Sequence, residues 1–372
     1  MTTTARGSAT GDGPPNAVDT SLGGSAGGHQ AVTGQAGGRK RKGGGRGGEK
    51  MMVPPAEFTS YYGRPILKAS PWEHDIPFYL FAGGVAAGSS VLSAGADLTR
   101  RPALRRTGRV AALVGLAASM VALVHDLGRP ERFHHMLRVA KPTSPMSVGT
   151  WILTAYGPFA GLAAAAELVP RRYRRTLVGR LLGLSARPAG LVAAVLAPAV
   201  ASYTAVLLTD TATPTWHDSH RHLPFVFVGS ACAASGGLGM IGAPVFEAGP
   251  ARRLALGGAV MELAVERRME HAMGVTAEPL HLGHAGTLMK ASKALTLLGT
   301  AGTALFAGRS RAAAAASGLA LMAGSACLRF GVFEAGQASA RDPKYVVVPQ
   351  RERLARQGPT RHSTDAQHQH PH

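Results

Sequence analysis

Residues 126–151 read DLGRPERFHHMLRVAKPTSPMSVGTW, a charged, proline-punctuated connector. It joins two stretches without Asp, Glu, Lys or Arg, 110–125 and 142–166. Further charge-free runs cover 76–96, 188–209 and 223–246. A helix needs roughly 20 mostly apolar residues to cross a bilayer core of about 30 Å. The run 110–125 is short, but His125 and Asp126 can sit at its interfacial end. Three weaker candidates, 251–266, 291–308 and 312–332, bring the expectation to about eight transmembrane helices. The segment 251–266 fits least well because Glu262 and Glu266 fall inside it. A soluble bundle alternates polar and apolar faces, whereas these segments are apolar all round. The fold expected is therefore an all-α integral membrane protein. A connector this specific between lipid-compatible segments reads as a built surface rather than a tether.

The mean hydropathy of +0.06 understates this middle, because two polar ends dilute it. Residues 1–56 form a Gly-rich, basic tail with too few large apolar side chains to offset chain entropy, so disorder is expected there. No apolar run follows the start Met, so the tail does not read as a secretory signal. Residues 57–340 form the membrane domain and 341–372 a polar C-terminal tail. The net charge of +19 suggests nucleic acid, but the basic residues lie in short runs between apolar segments. A nucleic-acid surface gathers them on one face with interleaved aromatics. Cys232 and Cys327 both fall in apolar segments, and no Cys-x-x-Cys pair is present for an iron–sulfur cluster or structural zinc.

Gly84-x-x-x-Gly88 in the first span suits close helix packing in lipid. Gly236-Gly237-x-Gly239 resembles a dinucleotide loop only superficially, since no strand precedes it. Connectors after the first, third, fifth and seventh spans carry fifteen arginines against Asp97, Glu167 and Glu247. The positive-inside rule places that set in the cytoplasm, with both termini and the 126–151 connector outside.

The chain resembles the NrfD family, the membrane subunit of polysulfide reductase-type molybdoenzymes. The resemblance rests on Tyr61-Tyr-Gly-Arg-Pro-Ile-Leu-Lys68, on Pro77-Phe-Tyr-Leu-Phe-Ala-Gly-Gly-Val-Ala-Ala-Gly88, on Asp126–Trp151 with its Lys141-Pro-Thr-Ser-Pro145, and on Phe333–Lys344. It implies eight helices in two four-helix bundles in the bacterial cytoplasmic membrane, with no haem or metal held by the chain. It implies a quinone, menaquinone being the expected type. It also implies partners: a ferredoxin-like iron–sulfur subunit and, through it, a molybdopterin catalytic subunit of polysulfide reductase or formate dehydrogenase type. Aligned on Gly84–Gly88, the family's first-span quinone contacts fall on Asp75 and Tyr79, where the polysulfide reductase subunit has Asn and His. The fourth-span tyrosine falls on Tyr203.

The residues allow the same chemistry. Asp75 and Tyr79 are four apart and share a helix face. A tyrosine hydroxyl can donate to a quinone carbonyl, a carboxyl can exchange its proton, and His74 can relay it to water. The alternative for both tyrosines is an interfacial aromatic belt. Glu262, inside a candidate span, is expected to transfer protons; otherwise it pairs with Arg267 or faces water at the interface. Arg129, Glu131, Arg132, Arg138 and Lys141 around Phe133 read as a docking surface for the iron–sulfur partner, or as a loop that binds lipid headgroups. His125 is the histidine best placed for haem, and His217, His220 and His222 crowd one connector, as do His281 and His284 another. A secondary transporter and a haem-bearing anchor are the competing functional readings.

Overall fold

Backbone polar groups in a bilayer must be satisfied within the segment, and an Ala-, Gly- and Leu-rich chain does so as helix. The computed structural model describes residues 65–357. The Gly-rich tail, Tyr61–Arg64 and residues 358–372 lie outside the described residues. Eight α-helices of twenty residues or more dominate: α1 (Asp75–Leu98), α2 (Pro102–His125), α4 (Pro145–Leu168), α5 (Leu177–Thr209), α7 (Leu223–Gly242), α8 (Gly249–Met273), α9 (Gly283–Leu305) and α10 (Arg311–Arg341). Short α3 (His134–Leu137), α6 (Pro214–Asp218) and the terminal α11 (Lys344–Gln357) complete the set, so the polar C-terminal segment begins as helix. No strand occurs among the described residues.

Starts and stops follow local chemistry. Proline occupies the first turn of α2, α4, α6, α7 and α8, where its missing N–H costs nothing. Thr176 and Ser310 cap α5 and α10 by accepting from Gly179 N and Ala313 N. Past α8 the chain turns at Gly274, whose φ of +61° lies in the region that favours glycine.

Among the described residues six helices are long and apolar enough to cross a membrane: α1, α2, α4, α5, α7 and α10. α8 and α9 are also long, but the charges anticipated in the 251–266 segment place α8 below that level of hydropathy, and α9 carries Lys290 and Lys293. α1 is the most enclosed of the six, with 83% of its apolar stretch buried against 33% in α2 and α4. It packs on α2, α5 and α7; α4 packs on α5, α7 on α8 and α10, and α9 on α10.

Small residues make these approaches. Gly84 and Gly88 face Ala231 and Ser235 of α7, and Gly236 lies against Ala251 and Ala255 of α8. The glycine run in α7 is thus a packing surface. Connectors gather at two ends. At one, Arg101 donates to the carbonyls of Phe246 and Glu247, while Glu247 Oε2 accepts from Ala103 N and Leu104 N at 2.8 and 3.1 Å. Arg311 donates there to carbonyls ending α7. At the opposite end Trp216 is fully buried between Trp72 and Phe333, and its indole N–H donates to Val332 O at 2.8 Å.

A Cβ on Gly237 would lie 2.6 Å from the carbonyl oxygen of Gly318, whereas one on Gly95 meets nothing within 4 Å. Gly237→Ala should destabilise the detergent-solubilised chain by about 1–3 kcal/mol through overpacking. Gly95→Ala should be neutral or stabilising, by up to about 1 kcal/mol, through helix propensity. Thermal unfolding of the two variants side by side checks this.

Candidate functional site

Away from the arginine-rich end, the start of α1, the end of α2, the connector with α3, the start of α4 and the end of α5 converge. Pro145 begins α4, and Tyr203, in the last turns of α5, donates its hydroxyl hydrogen to the Pro145 carbonyl. The Tyr203 ring covers Gly149 so closely that any Cβ there would collide with it. Tyr79 is 2% exposed and Tyr203 7% exposed. Both line a small cavity of about 50 Å³, with Trp72, Asp126, Gly149 and Thr150 on its wall.

A second cavity of about 210 Å³ adjoins it between α2, α3 and α4. The two share Leu123, Leu127, Met136, Thr150 and Leu153 as walls. Leu116, Met120, Val124, Phe133 and Leu137 make the larger compartment apolar. The pair therefore has a tyrosine- and carboxylate-bearing end and a hydrocarbon-like end.

The expected first-span residues divide. Tyr79 faces the cavity. Asp75 shares its helix face but does not line the wall; its Oδ2 lies 2.7 Å from His125 Nδ1 at the rim. The carboxylate on the wall is Asp126, whose Oδ1 accepts from Glu73 N at 3.4 Å. Burial raises the Asp126 carboxyl above its ordinary range, and the nearby Asp75 and Glu73 charges push the same way. His74 turns away to Glu334, with Nε2 3.3 Å from Oε1, and stacks near Phe330. His74 and His125 thus engage separate carboxylates rather than each other.

The connector is clamped onto α4. Ser147 Oγ donates to Val139 O at 2.7 Å and accepts from Lys141 N at 2.9 Å, while Trp151 Nε1 donates to Val139 O at 3.0 Å. Arg129, Glu131, Arg132, Phe133, Arg138 and Lys141 are all exposed on it. Phe133 also forms part of the apolar compartment's wall, so the exposed connector and the cavity are one structure.

A second polar system lies in the other half. Glu262 is 1% exposed in α8, and its Oε1 accepts from Thr296 Oγ1 at 3.1 Å. It neither pairs with Arg267 nor faces water, as the alternative readings of it required. One turn on, Glu266 is equally buried and lies 3.6 Å from Lys293 Nζ of α9. Another turn on, Glu270 accepts from Lys293 at 2.8 Å and approaches His281 at 3.9 Å. Arg329 of α10 is fully buried; its Nη2 donates to Phe227 O at 2.8 Å, with the guanidinium carbon 3.8 Å from the Phe227 ring centroid. From the sequence Glu266 counted only as a charge that weakens the 251–266 span, and Lys293 and Arg329 were not singled out; the spacing of four between the α8 carboxylates was the available signal. Among the described residues no three His, Cys, Asp or Glu side chains converge as a metal-binding group, the histidine-rich connectors included.

No curated protein matches the chain. A family model described as Polysulphide reductase, NrfD matches residues 67–252, which is half of the chain and includes α1 to α7, the connector and the tyrosine cavity. Together with six helices apolar and long enough to cross a bilayer, the match shows that this chain belongs to the NrfD family of membrane proteins.

Proposed function

We propose that the chain is the quinone-binding membrane subunit of a polysulfide reductase-type complex. It passes electrons between the quinone pool and an iron–sulfur subunit docked on the 126–144 connector, and through that subunit to a molybdopterin catalytic subunit. The observation that carries this reading is the convergence of Tyr79, Tyr203 and Asp126 on a cavity that continues into an apolar compartment walled by the connector itself. The fit to a quinone is chemical: hydroxyls and a carboxyl at one end, and room for an isoprenoid tail at the other. Menaquinone is the expected type.

A bound quinone supplies two-electron, two-proton carrier chemistry. This chain supplies the positioning. In this reading the Tyr79 hydroxyl donates to a ring carbonyl in the smaller cavity, while Tyr203, whose hydrogen goes to the Pro145 carbonyl, can accept from a quinol hydroxyl there. Asp126, held toward its protonated form by burial, can give or take a proton there. The Asp75–His125 pair at the exposed rim leads that proton to water. His74, on the far side of the segment, is less well placed for the relay. α1, α2, α4 and α5 form one four-helix bundle and α7 to α10 a second, giving eight spans in the bacterial cytoplasmic membrane. The arginine-rich end faces the cytoplasm; the cavity and both termini face outward. Glu262 and its row in the second bundle transfer protons within the membrane. The long helices run unbroken, unlike the discontinuous spans of many transporters.

Titration of the purified chain with a short-chain naphthoquinone tests the site. Tyr79→Phe should weaken binding about fivefold, the worth of roughly one hydrogen bond. Gly149→Leu should abolish it by displacing the Tyr203 ring. Unchanged affinity in both variants would remove the site from this cavity.

The Asp126 shift gives a pH test. A carboxyl whose folded pKa is raised favours the native state below its unfolded value, near 3.9, and loses that advantage as pH rises through the folded value. Asp126→Asn should therefore raise the thermal midpoint relative to wild type at pH 7 and leave it unchanged at pH 3, below the unfolded value.

The connector gives a third. Replacing Arg129, Arg132 and Arg138 with Ala should release an iron–sulfur protein that co-purifies with the wild-type chain from its host, leaving naphthoquinone affinity intact. Co-purification that survives the triple substitution would place the docking surface elsewhere.

A further inference from the structure

The arginine-rich end holds a cleft with no part in the reading above. It lies between the end of α1, the start of α2, the end of α4 and the start of α5, with a volume of about 490 Å³. Its floor is a closed ion-pair set. Arg105 Nε contacts Glu167 at 2.7 Å, Arg109 Nη1 contacts Glu167 at 3.0 Å, and Arg109 Nη2 and Arg187 Nε each lie 3.6 Å from Asp97. The two carboxylates are thus engaged by the arginines beneath and beside them. Arg174 and Arg180, at the mouth, make no ion pair among the described residues; Arg174 Nε only donates to Val169 O at 3.3 Å. The cleft thus carries five guanidinium groups against two carboxylates, and three of the five hold both. On the floor Arg109 is 5% exposed and its Nε has no hydrogen-bond partner.

We propose that this cleft binds the phosphate headgroup of an anionic phospholipid from the arginine-rich face of the membrane. The charge surplus asks for a phosphodiester anion. The setting asks for a lipid rather than a free ion. α5 has 33 residues. That is about 50 Å of helix against a hydrocarbon core of about 30 Å, so its first turns stand at headgroup level. On those turns Leu177, Leu181 and Leu184 are 73%, 56% and 76% exposed, next to Arg180. Gly183, on the cleft wall, leaves open space where a side chain would stand. Arginine, glycine and exposed leucine on one helix start match a headgroup, its glycerol and its acyl chains in turn.

The test uses the full chain, delipidated in detergent and offered phosphatidylglycerol, diphosphatidylglycerol, phosphatidylcholine or inorganic phosphate. Bound mass is read by native mass spectrometry. Selective retention of one anionic lipid, about thirtyfold weaker in Arg174→Ala/Arg180→Ala, is expected from the loss of two interfacial arginines. Neither substitution breaks an ion pair, so the variant should fold, and its unchanged thermal midpoint confirms that. Arg221→Ala, at the opposite end, should retain lipid like wild type. Equal retention of phosphatidylcholine, or no loss in the double variant, overturns the proposal. Phosphate alone competing as strongly as lipid makes the cleft a free-anion site and overturns it as well. Lipid mass is read independently of quinone, so this outcome stands apart from that of the naphthoquinone titration.

Discussion

Close backbone approach across α7 is the constraint on which the arrangement depends. In lipid, helices gain nothing by hiding one apolar surface from another, so association relies on van der Waals fit and on interhelical polar contacts. α7 meets that requirement on three sides. Gly229 and Gly236 admit α8, Gly237 meets Gly318 of α10, and Ser235 receives Gly88 of α1 while donating to Val85 O at 3.1 Å. Serines complete the seam, with Ser230 Oγ 2.8 Å from Ser325 Oγ. A larger side chain at any of these places would separate helices that also carry the site.

That tight seam explains how charge can lie so deep. Arg329 and Glu262 are both buried against α7, beside Phe227 and Gly229, and Gly84 of α1 lies next to the guanidinium. Removing a charge from water costs several kcal/mol unless other groups replace the water. Here the replacements are the Phe227 carbonyl and ring for Arg329, and Thr296 for Glu262. Several polar atoms here still make no hydrogen bond: Glu262 Oε2, Arg329 Nε and Nη1, and both oxygens of Glu266, which has only its ion pair with Lys293. In native cores such groups are met by ordered water or an ion, or serve the chemistry of a site.

The sequence displayed whatever depends on short-range pattern. The charge-free runs mark the apolar helices, Gly84 and Gly88 mark a packing face, and 126–151 marks a structured connector. Less legible was anything set by the rotation of one helix against another. Asp75 and Asp126 are equally plausible wall residues in one dimension; only the packing of α1 on α2 sends Asp75 to His125 and leaves Asp126 on the cavity. The same holds for α8 and α9. Their charges lower the apolar signal, yet Glu266 and Glu270 both turn to Lys293, and Glu266 is enclosed there. Hydropathy counts a paired carboxylate as though it met lipid.

The two polar systems sit on opposite sides of the α1–α7 contact. The tyrosine cavity belongs to α1, α2, α4 and α5, and the carboxylate row to α8 and α9 with Arg329 of α10. α1 touches both: its first turns carry Tyr79 to the cavity, and its Gly84 lies against Ala231 and the Arg329 guanidinium. Tyr79 and Gly84 are five residues apart, about 7.5 Å of helix rise. A rigid-body shift of α1 on α7 would therefore be felt at both places together.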